Sequence, residues 1–135
     1  MTLKVGDFGT PTLLSSDLHV EVEPLRDEDI AVAHGRGTLD RFSGPHPKEL
    51  LVRAVESGTN QLVVDLGGVV SVDSSGLGVL VGTLKLARRT GGDLRLACVG
   101  PRLTVIIERL ALDQLLRRAD TVQEAIALAR GSRSN

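Results

Sequence analysis

The residues best suited to chemistry are Asp73-Ser74-Ser75-Gly76, which lie where a loop meets a predicted helix. A hydroxyl at a helix N-terminus accepts hydrogen bonds from unpaired backbone N–H groups, so one serine is expected to cap the helix. Gly76 is expected to permit close packing. A serine held there can instead be regulated, since phosphorylation adds a charge of about −1.5 to −2 that would oppose a partner across an interface. These residues alone leave capping and regulation both open.

The sequence contains no recognisable catalytic arrangement. A serine nucleophile of the α/β-hydrolase kind requires G-x-S-x-G, and neither serine has that context. His19, His34 and His46 have no acidic partner at a telling spacing. Asp65 and Asp73 are separated by a loop and do not form a pair for acid–base catalysis. Neither the dinucleotide-binding nor the phosphate-binding glycine motif occurs. We therefore expect no enzyme activity and no cofactor.

Composition argues against several classes of partner. The chain has 135 residues, a formal net charge of −1 and no Trp or Tyr, so nucleic-acid binding by charge or by base stacking is not expected. No long apolar run or signal peptide occurs, which predicts a cytoplasmic protein without a membrane partner. The single cysteine, Cys98, cannot form a disulfide framework or a thiolate zinc site. Its alternation with Leu94 and Leu96 predicts a buried core thiol.

Hydrophobic periodicity predicts the elements that position these residues. Alternating residues predict strands at Leu18–Val22 and Ile30–His34, which are expected to form a hairpin. A continuous apolar run at Gln61–Leu66 predicts a strand covered by helices. Further strands are expected at 94–98 and, as a short edge strand, at 115–116. Helices are expected to begin near Pro47, Leu77, Pro101 and Thr121. This order of elements indicates one α/β domain.

The helix that follows Gly76 has two apolar stripes. Its core face is expected to use Leu77, Leu80, Val81 and Leu84. The second stripe is small and apolar and would lie largely outside the core; it consists of Val79, Gly82, Thr83 and Leu86. An outer stripe of this kind favours an interface with a partner, whereas a helix wedged between two layers would bury both faces. Both alternatives remain open.

Three segments of the sequence resemble one known family. The first is Gly37-Thr38-Leu39-Asp40, a turn after the second predicted strand. The second runs from Leu62 through Asp73-Ser74-Ser75-Gly76 to Leu80, and the third runs from Leu94 to Asp113. Together they resemble the STAS-domain anti-anti-sigma factors of bacterial partner-switching systems, over about residues 18–128.

The resemblance implies an α/β STAS fold, in which a mixed β-sheet has helices packed mainly on one face. We place the domain at residues 17–131. Residues 1–16 are expected to be a flexible leader with room for one short strand, and residues 132–135 a tail.

The resemblance also implies a function. The family's phosphorylated serine directly follows the aspartate, which makes it Ser74 here, and the aspartate of the neighbouring turn is Asp40. An unphosphorylated member binds an anti-sigma factor that is also a serine kinase, which frees a sigma factor. Phosphorylation disrupts this complex, and a PP2C-type phosphatase restores it. The partner-binding residues expected on this basis are Asp40, Asp73, Ser75 and Gly76, together with Val79, Gly82, Thr83 and Leu86.

The sequence departs from the family pattern at three positions. Thr38 replaces the usual acidic residue of the turn, Ser71 replaces an aromatic residue, and Ala111 replaces a glycine. The alternative function is that of a STAS subunit in a lipid-transport or transporter-associated assembly, which needs no phosphorylatable serine. The intact Asp73-Ser74-Ser75-Gly76 segment and the absence of a membrane segment favour the anti-sigma factor antagonist.

Overall fold

A computed structural model describes residues 3–5, 18–25, 29–40 and 46–133 of the chain. The elements in these ranges alternate between strands and helices after an initial run of strands. In chain order they are β1 (Leu3–Val5), β2 (Leu18–Pro24), β3 (Ile30–Leu39), α1 (His46–Glu56), β4 (Gln61–Val72), α2 (Ser74–Arg89), β5 (Asp93–Ala97), α3 (Pro101–Arg109), β6 (Arg117–Ala119) and α4 (Val122–Arg133).

The strands of the described residues form one six-stranded sheet in the order β1-β2-β3-β4-β5-β6. β1, β2 and β3 pair in antiparallel fashion, which confirms the predicted hairpin, whereas β3 to β6 pair in parallel. Parallel neighbours need a crossover connection, and α1, α2 and α3 provide these crossovers. The prediction of a mixed sheet in an α/β domain is therefore confirmed.

Helices cover the two faces of the sheet unequally. The larger core joins Leu62, Val64 and Leu66 of β4 to side chains of α1, α2 and α3. On the opposite face, Val63 packs with Ala125 of α4 in a smaller cluster. This confirms that the helices pack mainly on one face. In the part of the chain that the structure describes, no helix is long and apolar enough to cross a lipid bilayer.

β4 is longer than the sequence predicted. It continues past Leu66 to Val72, because β3 offers it pairing partners as far as Leu39, which lies opposite Val72. The register skips residues of β4 between Asp65 and Gly68, and again at Val70. Bulges of this kind bend a strand pair and increase its twist, so they set the direction in which the chain enters α2.

Near both ends of the chain, the observed elements differ in detail from the predicted ones. β1 lies inside the predicted leader, and the rest of that segment lies outside the described residues. The edge strand predicted at 115–116 occurs instead at Arg117–Ala119, because the Leu116 N–H is bonded in a turn to the Leu112 carbonyl at 2.7 Å. α4 continues to Arg133. The domain boundaries at residues 17 and 131 remain predictions.

Candidate functional site

The candidate site lies where β3 and β4 end beside each other. Leu39 and Val72 are paired at the ends of these parallel strands. The Asp73 N–H then donates a hydrogen bond of 3.2 Å to the Leu39 carbonyl. Asp40 therefore follows one strand and Asp73 follows its neighbour at the same edge of the sheet. This register places two acidic residues that are distant in the sequence at neighbouring strand ends, beside the first turn of α2.

Asp73 caps α2. Its backbone is extended, with φ −100° and ψ −173°, and its Oδ1 accepts a hydrogen bond of 2.9 Å from the Gly76 N–H. The prediction that a serine caps the helix is therefore wrong. Ser74 is already the first helical residue, and a capping side chain must come from the last non-helical residue. The sequence does contain a signal for this cap: Asp73 stands three residues before Gly76, the usual spacing between a capping side chain and the backbone N–H that it binds.

Gly76 is buried and fits tightly against the end of β3. A Cβ atom built on it would lie 2.4 Å from the Leu39 carbonyl oxygen and 2.8 Å from a Val72 methyl carbon. This confirms that Gly76 permits close packing. The burial of Gly76 does not support its expected contact with a partner, which stays a prediction. Gly76 instead holds the first turn of α2 against the ends of the two strands.

Ser74 and Ser75 are both exposed. Within the described residues neither hydroxyl forms a hydrogen bond, so both are accessible to a reagent or a second protein. The first turn of this 16-residue helix contains no acidic residue, and its N-terminal dipole favours an added anion. The helix start therefore provides an electrostatic environment that favours negative charge near Ser74.

The predicted outer stripe of α2 is only partly outside. Thr83 is completely buried, and its hydroxyl donates a 2.8 Å hydrogen bond to the Val79 carbonyl. Thr83 is therefore not accessible on this face of the isolated chain, and its expected contact with a partner stays a prediction that its burial does not support. Val79 and Leu86 are half-buried and pack against the larger core. The reason is that α2 packs against α1 as well as against β4 and β5, so neighbouring elements cover most of the stripe.

The exposed residues in the first half of α2 are small. Gly82 is half-exposed, and a Cβ atom built on it would meet no atom within 4 Å. The same is true of Gly78, which is exposed and which the sequence analysis missed. The sequence pattern that could have identified Gly78 is the spacing of four residues from Ser74 to Gly78 and from Gly78 to Gly82. This spacing places all three residues on one side of a helix. The accessible face beside the site thus runs along this line.

Asp65, on the sheet face that carries α4, contacts two residues that were expected to be unrelated. Its Oδ2 lies 2.8 Å from the His34 Nδ1, so His34 does have an acidic partner, supplied by the β3–β4 register. The Asp65 carboxylate also lies near enough to the Cys98 thiol to raise the pKa of that thiol. The described residues contain no group of side chains that could hold a metal ion.

Cys98 does not lie where its alternation with Leu94 and Leu96 predicted. Its φ of 59° is left-handed, so the chain leaves the strand and the thiol joins the smaller cluster on the opposite face. The side chain is half-buried, which contradicts the prediction of a fully buried core thiol. Burial raises the pKa of the Cys98 thiol, and the nearby Asp65 carboxylate raises it further. The thiol is therefore poorly suited to act as a nucleophile.

Known proteins resemble most of this chain. Residues 21–125 match the STAS domain. The Anti-sigma-B factor antagonist of Bacillus subtilis (strain 168) is 31% identical over 99 residues, which cover 73% of this chain and 90% of that protein. The Anti-sigma-B factor antagonist of Staphylococcus aureus (strain NCTC 8325 / PS 47) is 34% identical over 99 residues, which cover 73% of this chain and 92% of that protein.

The fold is also that of solved structures. An anti-sigma factor antagonist from Mycobacterium paratuberculosis superposes with a TM-score of 0.77 at 22% identity, covering 87% of this chain and 97% of that chain. The family match extends over most of the sequence, and both relatives exceed 30% identity over nearly their whole length. The chain therefore belongs to the STAS domain family, among its anti-sigma factor antagonists.

Proposed function

We propose that this chain is a phosphorylation-switched antagonist of an anti-sigma factor. In its unphosphorylated state it binds an anti-sigma factor that is also a serine kinase, and this binding frees a sigma factor. The bound kinase then phosphorylates Ser74, which ends the complex. A PP2C-type phosphatase hydrolyses the phosphoserine and restores binding. The chain itself catalyses neither step.

One observation carries this proposal: Ser74 is the exposed first residue of α2, and Asp73 already supplies the cap. The Ser74 hydroxyl is therefore not needed for the helix. Relatives of more than 30% identity that are named anti-sigma-B factor antagonists support the class of partner. The same exposure makes Ser74 accessible first to a kinase and later to a phosphatase.

Phosphoryl transfer to Ser74 needs groups from the kinase. The Ser74 oxygen attacks the γ-phosphorus of a nucleoside triphosphate, its proton passes to a base of the kinase, and the nucleoside diphosphate leaves. This chain contributes an exposed hydroxyl on a rigid helix start. The positive end of the α2 dipole stabilises the phosphate after transfer, so the fold of the product is unchanged.

The phosphate acts on the complex because of its surroundings. Asp73 is adjacent to it, and Asp40 ends the neighbouring strand at the same sheet edge. A partner that covers Ser74 must remove water from the new charge beside these carboxylates. An uncompensated interfacial charge costs about 2–5 kcal/mol, which weakens binding by about 30-fold to several thousand-fold.

Calorimetric titration with each purified anti-sigma factor of the source organism tests this function. We expect the wild-type chain and Ser74→Ala to bind the same anti-sigma factor with affinities within about threefold. We expect Ser74→Asp to bind at least about 30-fold more weakly, because its fixed charge imitates part of the phosphate. Ser75→Asp adds the same charge one residue further along the helix, and a smaller loss of affinity than in Ser74→Asp is expected if the switch is at Ser74.

Incubation of the wild-type chain with that anti-sigma factor and nucleoside triphosphate, followed by mass spectrometry, identifies the modified residue. Phosphate on Ser74, and none on Ser74→Ala, is the expected result. Equal affinity of the wild type and Ser74→Asp would contradict a switch at this residue. A modification confined to Ser75 would transfer the switch to that serine.

A further inference from the structure

A groove opens beside the candidate site, on the side of β4 that faces away from β3. β5 pairs with β4 only as far as Asp65, so from Leu66 to Val72 no described residue pairs with this edge of β4. The chain turns away at Cys98, whose φ is 59°, and α3 begins at Pro101. The groove between the free edge of β4 and the first turns of α3 has a volume of about 440 Å³.

One wall of the groove is an exposed apolar side chain on a bulge. Val70 has no partner in β3, since Gly37 pairs with Val69 and Thr38 with Ser71. Its side chain is 79% exposed, the largest value for any large apolar residue among those described. Leu103 and Ile106 of α3 line the opposite wall. Such a groove favours an apolar side chain from a partner.

The charge of the groove indicates which kind of polar group the partner places beside its apolar side chain. Arg102 is the charged residue among those that line it. The N-cap residue of α3 is Gly100, so no side chain there accepts a hydrogen bond from the first backbone N–H groups of the helix. The first turn of α3 also contains no acidic residue. The positive helix end and the Arg102 guanidinium therefore both favour a carboxylate.

The groove lies close to Ser74 along the chain. Ser71 and Val72 line it, Ser71 is exposed, and the next two residues are the exposed Asp73 and Ser74. A protein bound at the exposed start of α2 therefore has the near end of the groove within a few residues of its contact.

We propose that the groove is a second docking site for the anti-sigma factor, which inserts an apolar side chain against Val70 and places an adjacent carboxylate on Arg102. This inference rests on the proposed function, because it assigns the same partner to a neighbouring surface. It predicts that binding depends on residues outside the phosphorylated turn. It also predicts that part of the affinity is lost at high salt, since one contact is an ion pair near the surface.

Calorimetric titration with the anti-sigma factor that binds the wild type tests the inference. We expect Val70→Lys and Arg102→Glu each to weaken binding at least about tenfold. The matched controls make the same substitutions elsewhere: Leu128→Lys on α4, across the sheet, and Arg109→Glu at the far end of α3. Both controls are expected to stay within twofold of the wild type. Val70 and Arg102 are exposed, so thermal melts of all four variants are expected to match the wild type.

Hydrogen exchange gives a readout without substitutions. The amides of residues 67–71 and 102–104 are expected to exchange more slowly in the complex with the wild type. Wild-type affinity of Val70→Lys and Arg102→Glu, combined with weak binding by Ser74→Asp, would overturn the groove and leave the proposed function intact. Absence of any bound anti-sigma factor with the wild type would overturn both. Loss of a wild-type dimer in Val70→Lys, without loss of anti-sigma factor binding, would assign the groove to a second copy and so overturn the proposal.

Discussion

The Asp73 carboxylate accepts a 2.9 Å hydrogen bond from the Gly76 N–H, and this bond spans the two serines of the candidate site. It holds the first turn of α2 closed by a residue that precedes both hydroxyls. The helix start therefore does not depend on Ser74 or Ser75, and each can be substituted or modified without loss of the cap. The cap of the helix and the proposed site of phosphorylation thus belong to adjacent residues of one turn.

Removal of the Asp73 cap is expected to lower stability more than removal of the Ser74 hydroxyl. Asp73→Ala is expected to reduce the free energy of unfolding by about 0.5–2 kcal/mol, whereas Ser74→Ala changes it by less than about 0.5 kcal/mol. Asp73→Asn keeps an oxygen acceptor and is the matched control. Urea denaturation followed by circular dichroism measures all three. A larger loss in Ser74→Ala than in Asp73→Ala would contradict the assignment of the cap.

Two glycines of α2 are expected to respond in opposite directions to alanine. Gly76→Ala places a Cβ atom 2.4 Å from the Leu39 carbonyl oxygen, and a backbone atom cannot move aside cheaply. We expect it to lose about 1–3 kcal/mol of unfolding free energy. Gly78→Ala meets nothing within 4 Å and removes a flexible helical glycine, so it is expected to gain about 0.5–1 kcal/mol. Thermal melts compare the two variants, and equal melting temperatures would contradict the packing at Gly76.

Neighbouring residues of α2 are expected to separate binding from packing. Gly82→Leu adds a side chain to the accessible face, so it is expected to weaken anti-sigma factor binding at least about tenfold without unfolding the protein. Thr83→Val keeps the shape of a buried side chain and removes one hydroxyl, so it is expected to leave affinity unchanged and stability within about 1 kcal/mol. Titration calorimetry and thermal melts check both. Weaker binding by Thr83→Val at normal stability would show that Thr83 reaches the partner after all.

Cys98 is expected to react slowly with thiol reagents. Burial and the Asp65 carboxylate both raise the pKa of its thiol, so less thiolate is present at a given pH than in the unfolded chain. The alkylation rate of the folded protein is therefore expected to rise at higher pH than that of the protein in urea. Asp65→Asn removes one cause and is expected to move this rise to lower pH. Glu23→Gln, near His34, is the control, and an unchanged profile in Asp65→Asn would contradict the electrostatic contact.

Local patterns in the sequence were sufficient to predict the α/β class, the hairpin and a helix start at the two serines. Alternation of apolar residues, helical periodicity after Gly76 and turn residues between elements are all properties of short segments. The exposure of Ser74 also follows locally, since a serine at a helix start is rarely needed in a core. The resemblance to STAS-domain proteins rests on such segments as well, and the family match confirms it.

Contacts between distant segments, above all the pairing register of β3 and β4, decided features that local sequence patterns did not predict. β4 extends to Val72 because β3 pairs with it as far as Leu39, and the same register places His34 beside Asp65. Thr83 is buried because α2 packs against α1 as well as against β4 and β5, which no property of the helix sequence determines. These features depend on which elements pack together.

Backbone geometry decided the rest. The choice of Asp73 over a serine as the cap depends on where helical dihedral angles begin, within one residue. Cys98 changes face because its φ of 59° ends the strand, a conformation that its residue type rarely adopts. The sequence by itself thus determined the elements and the position of Ser74 among them. The tertiary structure decided which neighbouring side chains are buried and which surface, including the groove, is left for a partner, because burial is set by contacts between segments that are distant in the chain.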